Sequence, residues 1–250
     1  MKALHHVDLA DSTNDLAYSL AERGAIDGTL VLADAQDAGR GRRGRDWFSP
    51  AKGNVYLSYI HRSSLAPAAL SALTLDVASA LASALEDMTG LRAELKWPND
   101  LLIKGRKIAG ILTELHTDIS ASGDPVVIIG VGVNVAMAEA DFPDALKAIA
   151  TSIQMETGQS FSSRDLAELI GRRIGEKMAG YEAGKGPDMV AYMARFPFVG
   201  TRVIHEGQRE GVIEGVGEDG SLTITWQDTQ ERESLWSGEI TFLMPEGEPS

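Results

Sequence analysis

Lys96-Trp97-Pro98-Asn99-Asp100-Leu101-Leu102-Ile103-Lys104-Gly105-Arg106-Lys107-Ile108-Ala109-Gly110-Ile111-Leu112-Thr113-Glu114 separates two possible architectures for this chain. Residues 92–97 suit a strand that Pro98 stops, because the residue before a proline is held extended. The apolar runs 101–103 and 107–115 bracket Lys104-Gly105-Arg106, which reads as a hairpin turn. A hairpin joins antiparallel strands, whereas parallel neighbours need a crossover of about a dozen residues. The segment therefore predicts a mixed sheet and argues against a doubly wound parallel one.

Working outward, the upstream chain supplies a short helix over 12–24. Asp11-Ser12-Thr13-Asn14 offers its caps, Leu16 and Leu20 its apolar side, and Gly24 its stop. Residues 29–35 read as a buried strand, 36–53 as a Gly/Arg-dense loop, and 54–61 as a second strand by alternation. Leu70, Leu73, Val77, Leu81, Leu85 and Met88 step by three or four, so 67–88 is one long helix ended by Gly90. Downstream, 121–124 is a polar turn and 126–135 a strand containing two glycines. Helices are expected over 162–181 and 189–196. From residue 199 the pattern changes to short strands at 201–205, 211–216, 222–226 and 231–236, separated by glycine turns. The fold class is thus α+β, a mixed β-sheet flanked by helices, with a domain over 1–198 and a small β-barrel over 199–250. About 45 residues suit an SH3-like barrel. Residues 245–250 are expected to fray.

Composition narrows the function. The chain has 250 residues, 23 Lys+Arg against 36 Asp+Glu, a net charge of −13 and no cysteine. That leaves no disulfide framework, no Cys-ligated metal and no thiol nucleophile. An acidic chain is a poor general binder of nucleic acid. The N-terminus lacks the apolar run of a signal peptide. The Ala/Leu-rich run 66–85 is interrupted by Asp76, short of the roughly 20 charge-poor residues that span a bilayer. A cytoplasmic location, with neither membrane nor nucleic acid as partner, is the expectation.

Four segments carry chemistry. Gly39-Arg40-Gly41-Arg42-Arg43-Gly44-Arg45 concentrates arginine in an acidic chain, and glycines let backbone N–H groups approach anionic oxygens. An anion-binding loop and a solvated basic patch both fit it. Lys96-Trp97-Pro98-Asn99-Asp100 could stack a base and bond its polar edge, or simply be a structured turn around a core Trp97. Lys107 could hold a carboxylate or phosphate, or be an ordinary hairpin lysine, and Gly110 marks close packing within a strand. Ile129-Gly130-Val131-Gly132-Val133-Asn134 has strand glycines again, but lacks the full dinucleotide fingerprint. His5-His6 has no metal-ligand spacing, and helix capping accounts for Ser12 and Thr13. The carboxylates read as scattered and mostly solvated charge. Trp226 and Trp236 read as packing residues of the barrel, with a contact role for a ligand or partner as the alternative.

Taken together and in this order, Ser12-Thr13-Asn14, Gln36, 39–49, 96–100, 107–114 and 130–134 resemble the biotin–protein ligases (biotin–[acetyl-CoA-carboxylase] ligases). The resemblance implies a catalytic fold related to class II aminoacyl-tRNA synthetases and lipoate ligases, with a C-terminal SH3-like domain. It implies ATP with Mg²⁺, biotin as substrate, a biotinyl-5′-AMP intermediate, and transfer to a lysine of a biotin carboxyl carrier protein domain. Carried over by position, Ser12, Thr13, Asn14, Gln36, Gly110 and Gly130 belong to the biotin pocket. Arg40, Gly41 and Arg42 close on biotin and its adenylate, and Lys107 meets the carboxylate and α-phosphate. Arg43, Arg45, Trp47, Lys96, Asn99, Asp100 and Asn134 fall on the ATP side. Lys107, Arg42 and Arg40 are the expected catalytic set, and no protein metal ligand is assigned. Only about 11 residues precede Ser12, too few for a helix-turn-helix module, so the monofunctional type without repressor activity is expected. The resemblance leaves monomer and homodimer both open. A lipoate ligase of the same superfamily and a basic-loop RNA-binding module are the alternatives; the arginine–glycine loop favours biotin over lipoate, and the acidic charge opposes RNA.

Overall fold

The computed structural model describes residues 3–119 and 123–243. Along the chain run β1 (Ala3–Ala10), α1 (Thr13–Glu22), β2 (Thr29–Gln36), β3 (Val55–Arg62), α2 (Leu73–Thr89), β4 (Glu94–Lys96), β5 (Asp100–Ile103), β6 (Arg106–His116) and β7 (Val126–Val133). Then come α3 (Asp144–Lys147), α4 (Ile153–Thr157), α5 (Ser163–Glu182) and α6 (Met189–Met193). The strands β8 (Arg202–His205), β9 (Arg209–Val216), β10 (Leu222–Trp226), β11 (Arg232–Leu235) and β12 (Ile240–Phe242) complete it. Seven strands form one sheet in the order β1-β2-β3-β7-β6-β5-β4, and five form a second, β11-β10-β9-β8-β12.

Among the strands of the described residues β1 and β2 are the pair that runs parallel, and α1 makes the crossover between them. Every other pairing in the large sheet is antiparallel. The deciding hairpin forms as read: Lys104 (φ 50°) and Gly105 (φ 76°) both take positive φ, the pattern of a tight type I′ turn. The mixed α+β class is what the chain adopts.

One face of the large sheet carries α2 and α5, which bury Leu73, Val77, Leu81, Leu85, Leu166, Ile170 and Ile174 among the strands' apolar residues. Helix α1 covers part of the other face, where Ala17 and Ala21 meet Val31, Ile60 and Ile128. The segment 67–89 is long and apolar enough to cross a membrane, yet most of it is buried against the protein. Its Asp76 is only 3% exposed and is satisfied by Lys177 Nζ (3.2 Å) and the Asp188 backbone N–H (3.1 Å). Asp76 is thus an exception to the reading of the carboxylates as mostly solvated charge.

Other expectations are adjusted. The helix over 67–88 is two pieces, a 3₁₀ turn Pro67–Leu70 and then α2, which ends at Gly90 in the left-handed region (φ 74°). The helix over 189–196 stops at Met193. Strand β3 is buried on both faces, not on alternate residues, because α1 and α5 both pack on it. Strands β1 and β12 and the short helices between 139 and 157 are additions. Trp226 is buried as expected, but Trp236 is 64% exposed, so it does not pack a barrel core. The short strands expected after residue 199 form an antiparallel sheet with β11 and β12 at its ends. The turn at 121–124 falls partly, and the tail 245–250 wholly, outside the described residues.

Candidate active site

Three glycines on adjacent strands create the site's floor. Gly110 of β6 pairs with Gly132 of β7, and Leu112 pairs with Gly130, on the sheet face that α1 leaves partly open. Side chains of this same chain press onto these glycines. A Cβ on Gly130 would collide with the Asn14 amide, and one on Gly132 with the Trp47 indole. One on Gly110 would lie 3.0 Å from Trp47 Cζ3 and 3.2 Å from Lys107 Cε. The close approach read from the sequence is therefore made by Asn14, Trp47 and Lys107.

Ser12 caps α1, accepting from the Asn14 N–H (3.3 Å). Because Ala10 of β1 pairs with Gln36 of β2, Gln36 lies beside that helix start, and its Oε1 accepts from the Thr13 N–H (2.8 Å) and hydroxyl (3.2 Å). Gln36 Nε2 donates to Ser49 Oγ, whose own hydroxyl donates to the Trp47 carbonyl (both 2.8 Å). Ser58 of β3, fully buried, donates to Asn14 Oδ1 (2.6 Å) and lies 2.9 Å from Thr13 Oγ1. Ser12, Thr13, Asn14 and Gln36 thus come together as expected. Ser58 was missed, although a lone serine inside an otherwise apolar and aromatic stretch was a usable signal.

The arginine–glycine segment is a folded excursion. Trp47 N–H donates to the Gly39 carbonyl (2.8 Å) and Gly41 N–H to the Arg45 carbonyl (2.6 Å). Its tip is a 3₁₀ turn, Arg42–Gly44, with Arg43 and Gly44 at positive φ. Gly39 must be glycine, since a Cβ there would lie 2.6 Å from the Trp47 carbonyl and 2.8 Å from Gln36 Nε2. The arginines then diverge. Arg40 pairs with Glu114 (3.0 Å) and Asp15 (2.6 Å). Arg42 reaches Asn99 Oδ1 (3.4 Å) and lines a cavity of about 300 Å³ together with Thr74, Pro98, Leu112 and Trp236. Arg43 pairs with Glu206 and Arg45 with Glu239 (2.7 Å), which lie in the connections β8–β9 and β11–β12 of the second sheet. No sequence signal pointed to Glu206 or Glu239, which lie more than 160 residues downstream of the loop.

Charge converges on Asp100. Lys107 Nζ lies 2.7 Å from Asp100 Oδ1 and 5.2 Å from the centre of the Trp47 ring. Burial pushes the Lys96 ammonium below its ordinary pKa; Asp100 opposes this, while Lys107 and Arg45 add to it. Burial lowers Arg42 as well, again opposed by Asp100 and reinforced by Arg43 and Arg45. Lys107 is thus paired with Asp100, Lys96 stands opposite Asp100 in the β4–β5 pairing and also feels Glu239, and Arg42 lies in the field of Asp100, so several cations gather here in a chain of net −13. Trp47 Nε1 is buried with no hydrogen-bond partner among the described residues. Asn134 lies apart from this convergence. It is 6% exposed, and its Nδ2 donates to the Thr151 carbonyl (3.0 Å), fastening the 150–153 segment to the end of β7. Asn99 is oriented by its Nδ2 bond to the Ile111 carbonyl (2.9 Å). Trp97 takes the core role, 3% exposed, with its indole N–H on the Gly220 carbonyl (2.9 Å).

Glu206 yields a pH expectation. Its carboxyl is held below the usual range, first by the Arg43 guanidinium and then by the Glu239 backbone N–H, with desolvation opposing. A depressed carboxyl contributes stability above its unfolded pKa and loses it as pH falls through the folded value. The contact between loop and second sheet should hold at neutral pH and release in acid. Glu206→Gln imitates the acid state, so at pH 7 trypsin should cut after Arg43 or Arg45 severalfold faster than in the parent chain.

The comparisons agree with this geometry. The biotin/lipoate A/B protein ligase family model matches residues 7–134. The bifunctional ligase/repressor BirA of Bacillus subtilis is 44% identical over 65% of this chain, and the match spans half of that relative's length. A biotin–[acetyl-CoA-carboxylase] ligase of Paracoccus denitrificans is 36% identical, covering 86% of this chain and 90% of the relative. The structure of the Aquifex aeolicus biotin protein ligase in complex with biotin and ATP superposes with a TM-score of 0.78 at 27% identity, covering 98% of this chain and all of that one. With the family model spanning more than half of the chain and a relative matched over nearly its whole length, the chain belongs to the biotin/lipoate A/B protein ligase family.

Proposed function

We propose that this chain is an ATP-dependent biotin–protein ligase that forms biotinyl-5′-AMP and passes the biotinyl group to a lysine of a biotin carboxyl carrier domain. The observation that carries this reading is the Lys107–Asp100 pair at 2.7 Å beside the Trp47 ring, with Lys96 opposite Asp100 in the β4–β5 pairing and Arg42 on the neighbouring Asn99. Joining a carboxylate to a triphosphate brings two anions together where water is scarce, and fixed cations offset their repulsion. The polar string Ser12-Thr13-Asn14-Gln36-Ser58 supplies both donors and acceptors, the complement of a cyclic urea. The glycine floor lets that string sit close to the sheet.

In the first step Lys107 leaves Asp100 for the biotin carboxylate and the α-phosphate, holding them in line. The carboxylate oxygen attacks phosphorus and pyrophosphate departs. Arg42, with Asn99 behind it, holds the phosphate of the adenylate. Arg40 and Gly41 close the loop over the acyl group, and Trp47 screens it from water. In the second step the carrier lysine attacks the acyl carbon and AMP leaves. Arg43, Arg45 and Lys96 are within the field of the triphosphate, and Asn134 acts indirectly by fastening its neighbouring segment. Magnesium, when bound with the nucleotide, would supply charge neutralisation on the phosphates. Asp100, the carboxylate beside Lys107, is the residue that would hold the ion. The division into a catalytic unit over 1–198 and an SH3-like unit over 199–250 belongs to the same proposal, the latter supplying Glu206 and Glu239 to the loop.

Arg42→Ala should speed release of the adenylate by about tenfold, the scale of one charge-assisted hydrogen bond. The melting temperature should stay nearly unchanged, because a loop side chain has little packing to lose. Retention of labelled adenylate on a filter measures the first and calorimetry the second. The activity itself is tested by incubating the chain with biotin, ATP, Mg²⁺ and a carrier domain; one carrier lysine should gain the mass of a biotinyl group.

A further inference from the structure

Glu114 joins the floor of the site to its loop. Its side chain, 23% exposed, projects from β6. One oxygen, Oε2, accepts from Asn14 Nδ2 at 2.7 Å and from Arg40 at 3.1 Å, while Oε1 accepts from Arg40 at 3.0 Å. A carboxylate has only acceptors, so it meets all of these donors at once. We infer that Glu114 is a positioning residue for the biotin end of the site, fixing the sense of the Asn14 amide and holding Arg40 at the loop's entry.

Asn14 Nδ2 faces two acceptors, Glu114 and the Leu112 carbonyl (3.3 Å). Flipping the amide would turn its oxygen onto both. With the nitrogen so placed, Asn14 Oδ1 must accept, and it takes the Ser58 proton at 2.6 Å. Ser58 Oγ is then left as an acceptor toward Thr13 Oγ1, 2.9 Å away. Thr13 has a second acceptor in Gln36 Oε1 at 3.2 Å. The charge on Glu114 thus sets which groups along the string offer protons and which receive them. A bound urea would meet that pattern already arranged, with less reorganisation on binding. The same carboxylate takes both terminal nitrogens of Arg40, a fork geometry that restricts the guanidinium plane.

Glu114→Gln tests this almost isosterically. Its amide nitrogen would face either Asn14 or Arg40, both donors. The inference builds on the ligase reading, so the unaltered chain is assayed alongside for biotin-dependent adenylate formation. Expected for Glu114→Gln are biotin affinity and adenylate retention each down by about tenfold, the scale of a lost charge-assisted pair. The KM for ATP should stay within about twofold, since such groups lie elsewhere in the site. Glu114→Asp, which keeps the charge on a shorter arm, should fall between the two. Biotin affinity and adenylate release equal to the unaltered chain in Glu114→Gln would overturn the inference, as would a uniform loss of biotin and ATP binding with a fallen melting temperature. If Glu114→Gln does not fold, Glu114→Asp decides alone: a severalfold loss in biotin affinity supports the role and unaltered affinity refutes it. An unaltered chain that forms no adenylate would remove the ligase reading itself, and this inference with it.

Discussion

Lys107→Ala is expected to lower the rate of adenylate formation by about 10²–10³, the usual cost of removing one preorganised stabiliser of developing charge. The ammonium has an anionic neighbour in Asp100 at 2.7 Å, an aromatic face in Trp47 at 5.2 Å, and an alkyl stem lying along Gly110. Those contacts aim it into the site while leaving it able to exchange Asp100 for an incoming anion. Removing it also leaves Asp100 less compensated, which repels a triphosphate further. The loss should appear in kcat more than in the affinity for biotin alone, because biotin's ring end is held by the Thr13–Gln36 side of the site. Single-turnover measurement of pyrophosphate release separates the two. Pyrophosphate release at the parent rate would remove Lys107 from the reacting centre.

Gly130→Ala is the second large effect. The new methyl would be built into the Asn14 amide, and Asn14 is 3% exposed and held by Glu114, Leu112 and Ser58. It cannot step aside without breaking those bonds. Overpacking of this kind costs about 1–3 kcal/mol, and an unpaired buried amide adds about 1–3 kcal/mol. We expect a melting temperature lower by several degrees together with biotin binding weakened by at least tenfold. Thermal unfolding with and without biotin reads both. A variant with the parent's melting temperature and biotin affinity would show that Asn14 is free to move and that the floor is not close-fitting.

The sequence made the large sheet legible where its signals were local. The Lys104-Gly105 turn, the stop at Gly90 and the Ser12 cap each depend on a few adjacent residues. Strand β1 escaped because it lies at the sheet's edge, with exposed His5, His6 and Asp8 hiding any alternation. Strand β12 is three residues long, below the length at which a period can be counted. Glycines 110, 130 and 132 announced close approach, but the approaching groups come from residues 14 and 47, which only the folded sheet brings there. Asp76 read as solvated because its partner Lys177 lies a hundred residues away on another helix. The concentration of arginine in the loop was legible by composition. The loop's attachment to Glu206 and Glu239 was not, because nothing in the chain pairs those distant turns before folding.

Exchange of radiolabelled pyrophosphate into ATP measures the first chemical step by itself, with no carrier present. The account predicts exchange that requires biotin and falls by about two orders of magnitude or more in Lys107→Ala. Exchange without biotin, or none with it, would contradict the assignment of this cation-rich site to the joining of a carboxylate and an α-phosphate.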